Sequence, residues 1–169
     1  HRGGAPRQVA LTPLVTGNPW ERINIDITGP HPRSRTGYIY MLTVFDHFTK
    51  WAEAYPLRDH TATSFAKILV PQLISRYGCP KQILSDQGPE FEGQLISELS
   101  KNFRVDKVRT TAYEVSTKGA VERFHKTLNA MLGKVVAEHQ RDWELWLLLV
   151  MAAYRASLHS ATKVSPNRV

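Results

Sequence analysis

Three carboxylates stand out by the company they keep. Asp26 interrupts the alternation Ile23-Asn24-Ile25-Asp26-Ile27, Asp86 closes the short apolar stub Ile83-Leu84-Ser85 shortly before Gly88, and Glu122 lies near the start of a long helical pattern, on its polar face. Asp86 and Glu122 are separated by 35 residues. An acid on a strand is costly unless it is paired or holds a cation. Each acid alone reads as a solvated or capping carboxylate; the three in this order and spacing point to a shared cation site. Hard divalent ions take oxygen ligands and need no His or Cys. Ions held in this way activate an attacking oxygen and stabilise a leaving one, the requirement of phosphodiester cleavage and transesterification.

The elements that must position these acids follow from periodicity. The alternation over 23–27 predicts a strand ended by Gly29-Pro30, with Asp26 sharing a face with Asn24, opposite the isoleucines. After the turn-rich PHPRSRTG, the β-branched and aromatic run 38–45 predicts a second strand and 51–57 a third. Helical spacing over 61–77 predicts a helix kinked at Pro71 and stopped at Gly78. A short strand at 83–84, a helix over 91–103, a strand over 105–108 and helices over 118–138 and 143–154 complete the chain. Val121, Phe124, Leu128, Leu132 and Val135 share one face of the longest helix. The order βββαβαβαα predicts an α/β fold with a mixed sheet flanked by helices.

Composition bounds the function. The 169 residues carry 22 Lys and Arg against 15 Asp and Glu, a net +7 that favours phosphate polymers as partners. The one cysteine, Cys79, excludes an internal disulfide and a Cys-rich zinc site, and suits a reducing compartment. The seven histidines form no zinc-binding pair of the usual spacing. The longest apolar run, 145–153, has nine residues and is too short to cross a bilayer, so no membrane partner is expected. A start at His1 and an end at Val169 suggest a piece of a longer protein, with residues 1–20, rich in Pro and Gly, as a linker.

The stretches NIDITGP, ISRYGCPKQILSDQGPEF and Y-x5-G-x-x-ERFHKTLN, with the D, D, 35 residues, E arrangement, resemble the catalytic core of retroviral integrases and, more closely, of gypsy-type long-terminal-repeat retrotransposon integrases. The resemblance implies a ribonuclease H-like fold, a five-stranded mixed sheet with helices on both sides. It makes residues 21–169 a catalytic core and 1–20 the remnant that follows a missing N-terminal zinc domain. It implies two Mg²⁺ or Mn²⁺ ions, with Asp26 bridging both and Asp86 and Glu122 each completing one. The reactions implied are trimming of an element DNA 3′ end and attack of that 3′-hydroxyl on target DNA. Action in the nucleus and assembly of a homo-oligomer on DNA ends follow from the same resemblance.

The helix face beside Glu122 would grip the substrate. Lys126 and Asn129 lie four and seven positions on, and between 101 and 134 there are eight Lys or Arg against three acids. Lys118 and Lys126, with Arg123, are expected against DNA phosphates. The resemblance places Tyr113 and Lys118 in a loop against the DNA end. That loop departs from the gypsy-type pattern: Glu114 to Ala120 lack the usual histidine, proline, glutamines and asparagine. This departure favours an alternative reading, a domesticated or decayed integrase that binds DNA or chromatin without joining strands. A true ribonuclease H would draw its second acid from the first long helix, and residues 62–79 contain none.

Other candidates read as structural. Asp46 and His47 point to opposite faces of a strand and should not cooperate. Glu90 and His125 read as surface residues and Cys79 as a small packed side chain. Trp143, Trp146, Leu147 and Val150 read as core first and as a subunit interface second.

Overall fold

The computed structural model describes residues 17–111 and 115–157, with the backbone alone for 111 and 115–124. Its elements follow the expected order. β1 (Arg22–Thr28), β2 (Tyr40–Asp46) and β3 (Ala52–Leu57) form an antiparallel meander. α1 (Ala62–Ile68), a π-helical turn (Leu69–Ile74) and α2 (Ser75–Tyr77) lead to β4 (Gln82–Leu84). α3 (Pro89–Phe103), β5 (Arg109–Thr111), α4 (Val115–Glu138) and α5 (Trp143–Ala156) follow. The five strands lie in the order β3-β2-β1-β4-β5, with β4 parallel to both β1 and β5. This is the five-stranded mixed sheet expected of a ribonuclease H-like fold.

Each face of the sheet buries one core. Ile23, Ile25, Leu42, Val44 and Ile83 pack against Phe65, Leu69, Phe91, Leu95 and Leu99 from α1, the π turn and α3. On the other face Met41, Phe45, Ala52 and Ala54 meet Leu128, Leu132 and Val136 of α4 and Trp143, Leu147 and Tyr154 of α5. The isoleucines of β1 and Leu128 and Leu132 of α4 therefore lie where their periodicity puts them; Val136 is buried with Val135 only partly so, and the side chains of Val121 and Phe124 lie outside the described residues.

Three local expectations need correction. The strand expected at 105–108 is β5, four residues later. Val105 instead closes α3, its N–H reaching the Leu99 carbonyl at 2.9 Å after Arg104 turns left-handed; Val108 is buried in the core. Their apolar character reflects packing rather than strand pairing. α3 begins at Pro89 rather than at residue 91, because Pro at the first helical position sacrifices an N–H that has no partner there. The kink at Pro71 is a π-helical turn: proline has no N–H for the α-helical ladder, and the Ser75 hydroxyl donates to the Pro71 carbonyl inside the turn.

Candidate active site

Pairing directions decide where the chemistry can occur. β3, β1, β4 and β5 all run the same way, so their C-terminal ends share one edge of the sheet. Asp26 lies near that end of β1, opposite Thr43 of β2. β1 is tied to β4 through the pair Asn24 and Leu84, and Asp86 follows two residues beyond Leu84. Because alternate residues share a face, Asn24 and Asp26 stand on the side covered by α4.

The carboxylates feel one another. Burial, then the charge of Asp86, push the Asp26 carboxyl above its ordinary 3.8, against the opposing pull of His125 and a hydrogen bond from the Asn129 side chain. Asp86 itself is exposed, and the Gln87 amide donates to it at 3.0 Å. Buried Ser85 braces the same turn by accepting from the Gln87 N–H at 3.0 Å. Gly88, at φ +92°, then reverses the chain into α3 with a backbone that an L side chain would strain.

Among the described side chains of α4, His125 and Asn129 act on Asp26, so the helix face toward the acids is known. Position 122 precedes His125 by three residues and Asn129 by seven, which puts it on that same face. The structure thus gathers Asp26, Asp86 and the helix position of Glu122. The side chains of Glu122, Lys118 and Arg123, and Tyr113 altogether, lie outside the described residues. Lys126 is exposed on α4, and Asn129 holds the Asp26 carboxylate.

His125 is not the surface histidine its sequence position suggested. It is part-buried and sits edge-on to Phe45 at 5.5 Å, and burial holds its pKa below the ordinary 6.5 against the pull of Asp26 and Asp86. Its Nε2 is buried with no partner among the described residues. The helical offset of three from Glu122 and four from Asn129 was the available signal. Asn24, missed as well, is fully buried with neither amide atom partnered among the described residues; it is cross-strand partner to Phe45, two residues before Asp26.

The other residues weighed from the sequence have structural tasks. Asp46 is buried and accepts from the N–H groups of Trp20 and Thr49 and from the Thr49 hydroxyl, which shapes the β2–β3 turn. Burial, with the neighbouring Lys50 and Arg22 charges, drives His47 down to about 4. Glu90 is exposed in the first turn of α3. Cys79 is exposed rather than packed, because it follows the helix-ending Gly78 onto the surface. Trp143, Leu147 and Val150 are core, as expected, while Trp146 is partly exposed beside Leu145, Leu148 and Leu149.

The comparisons with known proteins agree with this arrangement. Residues 18–115 match the family model described as "Integrase core domain". The chain belongs to the integrase core domain family. This integrase core is 32% identical over 140 residues, 80% of its length and 11% of the relative's, to the retrovirus-related Pol polyprotein from transposon 412 of Drosophila melanogaster. It is 30% identical over 162 residues to human gypsy retrotransposon integrase-like protein 1, covering 96% of the chain and 30% of the relative. It therefore spans less than a third of either relative. The fold matches the catalytic core domain of BIV integrase with a TM-score of 0.64 at 22% identity, over 88% of this chain and 92% of that one. The HTLV-2 integrase catalytic core domain in complex with magnesium, in a trimeric form, gives 0.64 at 16% identity, over 89% and 96%.

Proposed function

We propose that this chain is the polynucleotidyl-transfer core of a retrotransposon-type integrase, with Asp26, Asp86 and Glu122 as its catalytic carboxylates. The observation that carries the reading is the approach of Asp26 and Asp86 from adjacent parallel strands, beneath the α4 face that bears position 122. Asp26, whose ionisation burial and the neighbouring Asp86 charge oppose, with no Lys or Arg beside it among the described residues, is unfavourably placed unless a cation joins the two. Their oxygen ligands suit Mg²⁺ or Mn²⁺. When bound, two such ions would supply activation of the attacking oxygen and charge neutralisation at the leaving oxygen.

The chain's own residues do the rest. Asn129 fixes the orientation of the Asp26 carboxylate. His125, held neutral by burial, walls the site on the α4 side. Lys118, Arg123 and Lys126 would meet DNA phosphates, with Tyr113 against the DNA end. In the first reaction water attacks a phosphodiester near the element end, and the P–O bond to the new 3′-hydroxyl breaks. In the second that 3′-oxygen attacks a target phosphodiester, a new P–O bond forms and the target's 3′-oxygen leaves. No covalent protein intermediate is needed.

The full reaction would use a homo-oligomer. α5 is apolar around its whole circumference: one side fills the core, while Leu145, Leu148 and Leu149 remain 69%, 76% and 63% exposed on the other. The HTLV-2 neighbour is described as trimeric, and a second copy of this chain is the proposed cover for that side. Because the site acts on element and target DNA, the place of action is the nucleus.

A second reading, an integrase-derived DNA-binding module without strand transfer, is favoured by the 30% identity to the human integrase-like protein. One assay separates the two. Preassembled branched DNA incubated with the chain and Mg²⁺ or Mn²⁺ is expected to be resolved, and Asp86→Asn to slow this at least about a thousandfold, roughly 4 kcal/mol of transition-state stabilisation. A wild-type chain as silent as the variant, yet still binding DNA, would replace the first reading with the second. Metal binding has its own readout: Mg²⁺ at a hundred times its Kd should stabilise the wild type by about 2.7 kcal/mol and Asp86→Asn far less. Without metal, the raised Asp26 pKa means that stability falls as pH rises from 3.8 through the folded-state value.

A further inference from the structure

The β1–β2 connection, residues 29–39, reads in sequence as turn residues, but it is fastened more firmly than a turn requires. Gly29 starts it where no side chain fits: a Cβ would meet the Ile39 carbonyl and the Tyr40 ring, each at 2.7 Å. Ser34 is buried, exchanging bonds with Tyr38 through its N–H at 3.0 Å and its hydroxyl oxygen at 3.1 Å. The Trp143 indole donates to the Pro32 carbonyl at 2.8 Å, and the Arg35 N–H donates to the Arg141 carbonyl at 2.8 Å. Arg58, just past β3, donates twice to the Thr36 carbonyl, at 3.3 and 3.2 Å, and lies 4.5 Å over the Tyr38 ring.

With Ser34 turned inward, its neighbours Arg33 and Arg35 are exposed. Among the described residues neither they nor Arg58 form an ion pair. The nearby acids contact other groups, although the second Glu144 oxygen is buried with no partner among the described residues. Asp59 accepts from Thr61, Glu144 accepts from the Thr36 hydroxyl at 2.5 Å, and Asp142 faces His139 at 3.9 Å. The result is a set of guanidinium groups whose backbone is already ordered, so binding does not have to order the loop.

Topology places this set. The loop leaves β1 at the edge where Asp26 and Asp86 lie, and Arg58 follows β3 at the same edge. It is on the side of β1 away from β4 and β5, whereas Arg109, paired with Gln82, lies at the opposite edge where β4 and β5 begin. From β1 to β3 is roughly 10 Å at about 4.8 Å per strand, about three base steps of rise along the DNA axis at about 3.4 Å each.

We propose that Arg33, Arg35 and Arg58 form a phosphate-binding rail for DNA on the β2–β3 flank of the carboxylate site. The rail rests on the integrase reading above, since it needs DNA to lie across that edge. It supplies the grip on the flank that the basic segment around Glu122 does not reach.

The test uses the whole chain, fluorescent branched DNA and the same DNA without its acceptor arms, at 50 to 200 mM salt without divalent metal. Arg33→Gln with Arg35→Gln should reduce the slope of log affinity against log salt by about 2 and weaken binding several tens-fold at about 0.1 M. Arg33→Lys with Arg35→Lys should retain most of the affinity, which separates charge from loop structure. Equal losses on both DNAs would place the rail on the donor end; a loss confined to the branched DNA would place it on the acceptor. An unchanged slope and affinity in the Gln variant, with the wild type still binding and resolving branched DNA, would overturn the rail and leave the integrase reading standing. A wild type that binds neither DNA would overturn both.

Discussion

Against α1 and α3 the sheet presents Ile23, Ile25, Leu42, Val44 and Ile83, and no buried polar side chain on that face lacks a partner among the described residues. Glu53, partly buried there, receives the Trp51 indole, the Tyr55 hydroxyl and the Tyr77 hydroxyl at 3.0, 2.8 and 2.8 Å. Burial alone would raise the Glu53 pKa, but those donors and Arg76 bring it below the ordinary 4.5. Against α4 the same strands present Asn24, whose amide atoms have no partner among the described residues, and Asp26, ionised at a cost, while α4 itself adds His125 with a nitrogen likewise without a described partner. One sheet therefore carries a satisfied face and an unsatisfied one. Polar groups are paired on the face that carries the larger core, and the strained ones gather on the face of the proposed site.

Truncation should separate the two faces most sharply. Leu95→Ala, fully buried on the α3 side, should destabilise by about 3 to 5 kcal/mol in chemical denaturation and leave the rate per folded molecule unchanged. A variant that loses activity without losing stability would break the comparison. On the α4 face Asn129→Ala should do the reverse: a 10- to 100-fold loss in branched-DNA resolution, as for other residues that orient a metal ligand, with a small change in melting temperature. An unaltered rate would remove Asn129 from the site.

The smallest effect is the most discriminating in sign. Asn24→Val replaces two unpaired buried polar atoms by a β-branched side chain in a strand, and should stabilise by about 1 to 2 kcal/mol. A loss of stability of that size would show that Asn24 is satisfied after all, and the α4 face would then resemble its opposite.

Most of the architecture was legible because it rests on local periodicity. The alternation of β1, the stripe of α4 and the break at Pro71 each follow from the spacing of a few side chains. β5 was misplaced because Val105 and Val108 carry the same apolar signal whether they pair in a sheet or seal a helix end. His125 was misread for a related reason. A histidine one turn from an acid looks the same on a bare helix as on one whose face is turned toward two aspartates. The arginines of the β1–β2 loop showed only as turn composition, since nothing local reveals that Ser34 points inward and the flanking guanidinium groups outward.

By itself the sequence determined the order of the elements, the family, and the identities of Asp26, Asp86 and Glu122 as the acids to follow, because these depend on residue type and short-range spacing. Only the tertiary structure decided that Asp26 and Asp86 meet, that Asn129 and His125 attend them, and that Arg33, Arg35 and Arg58 share their edge. Those relations depend on parallel pairing between β1 and β4 and on the docking of α4 across them. Such contacts join residues dozens of positions apart, and no periodicity within a single segment records them.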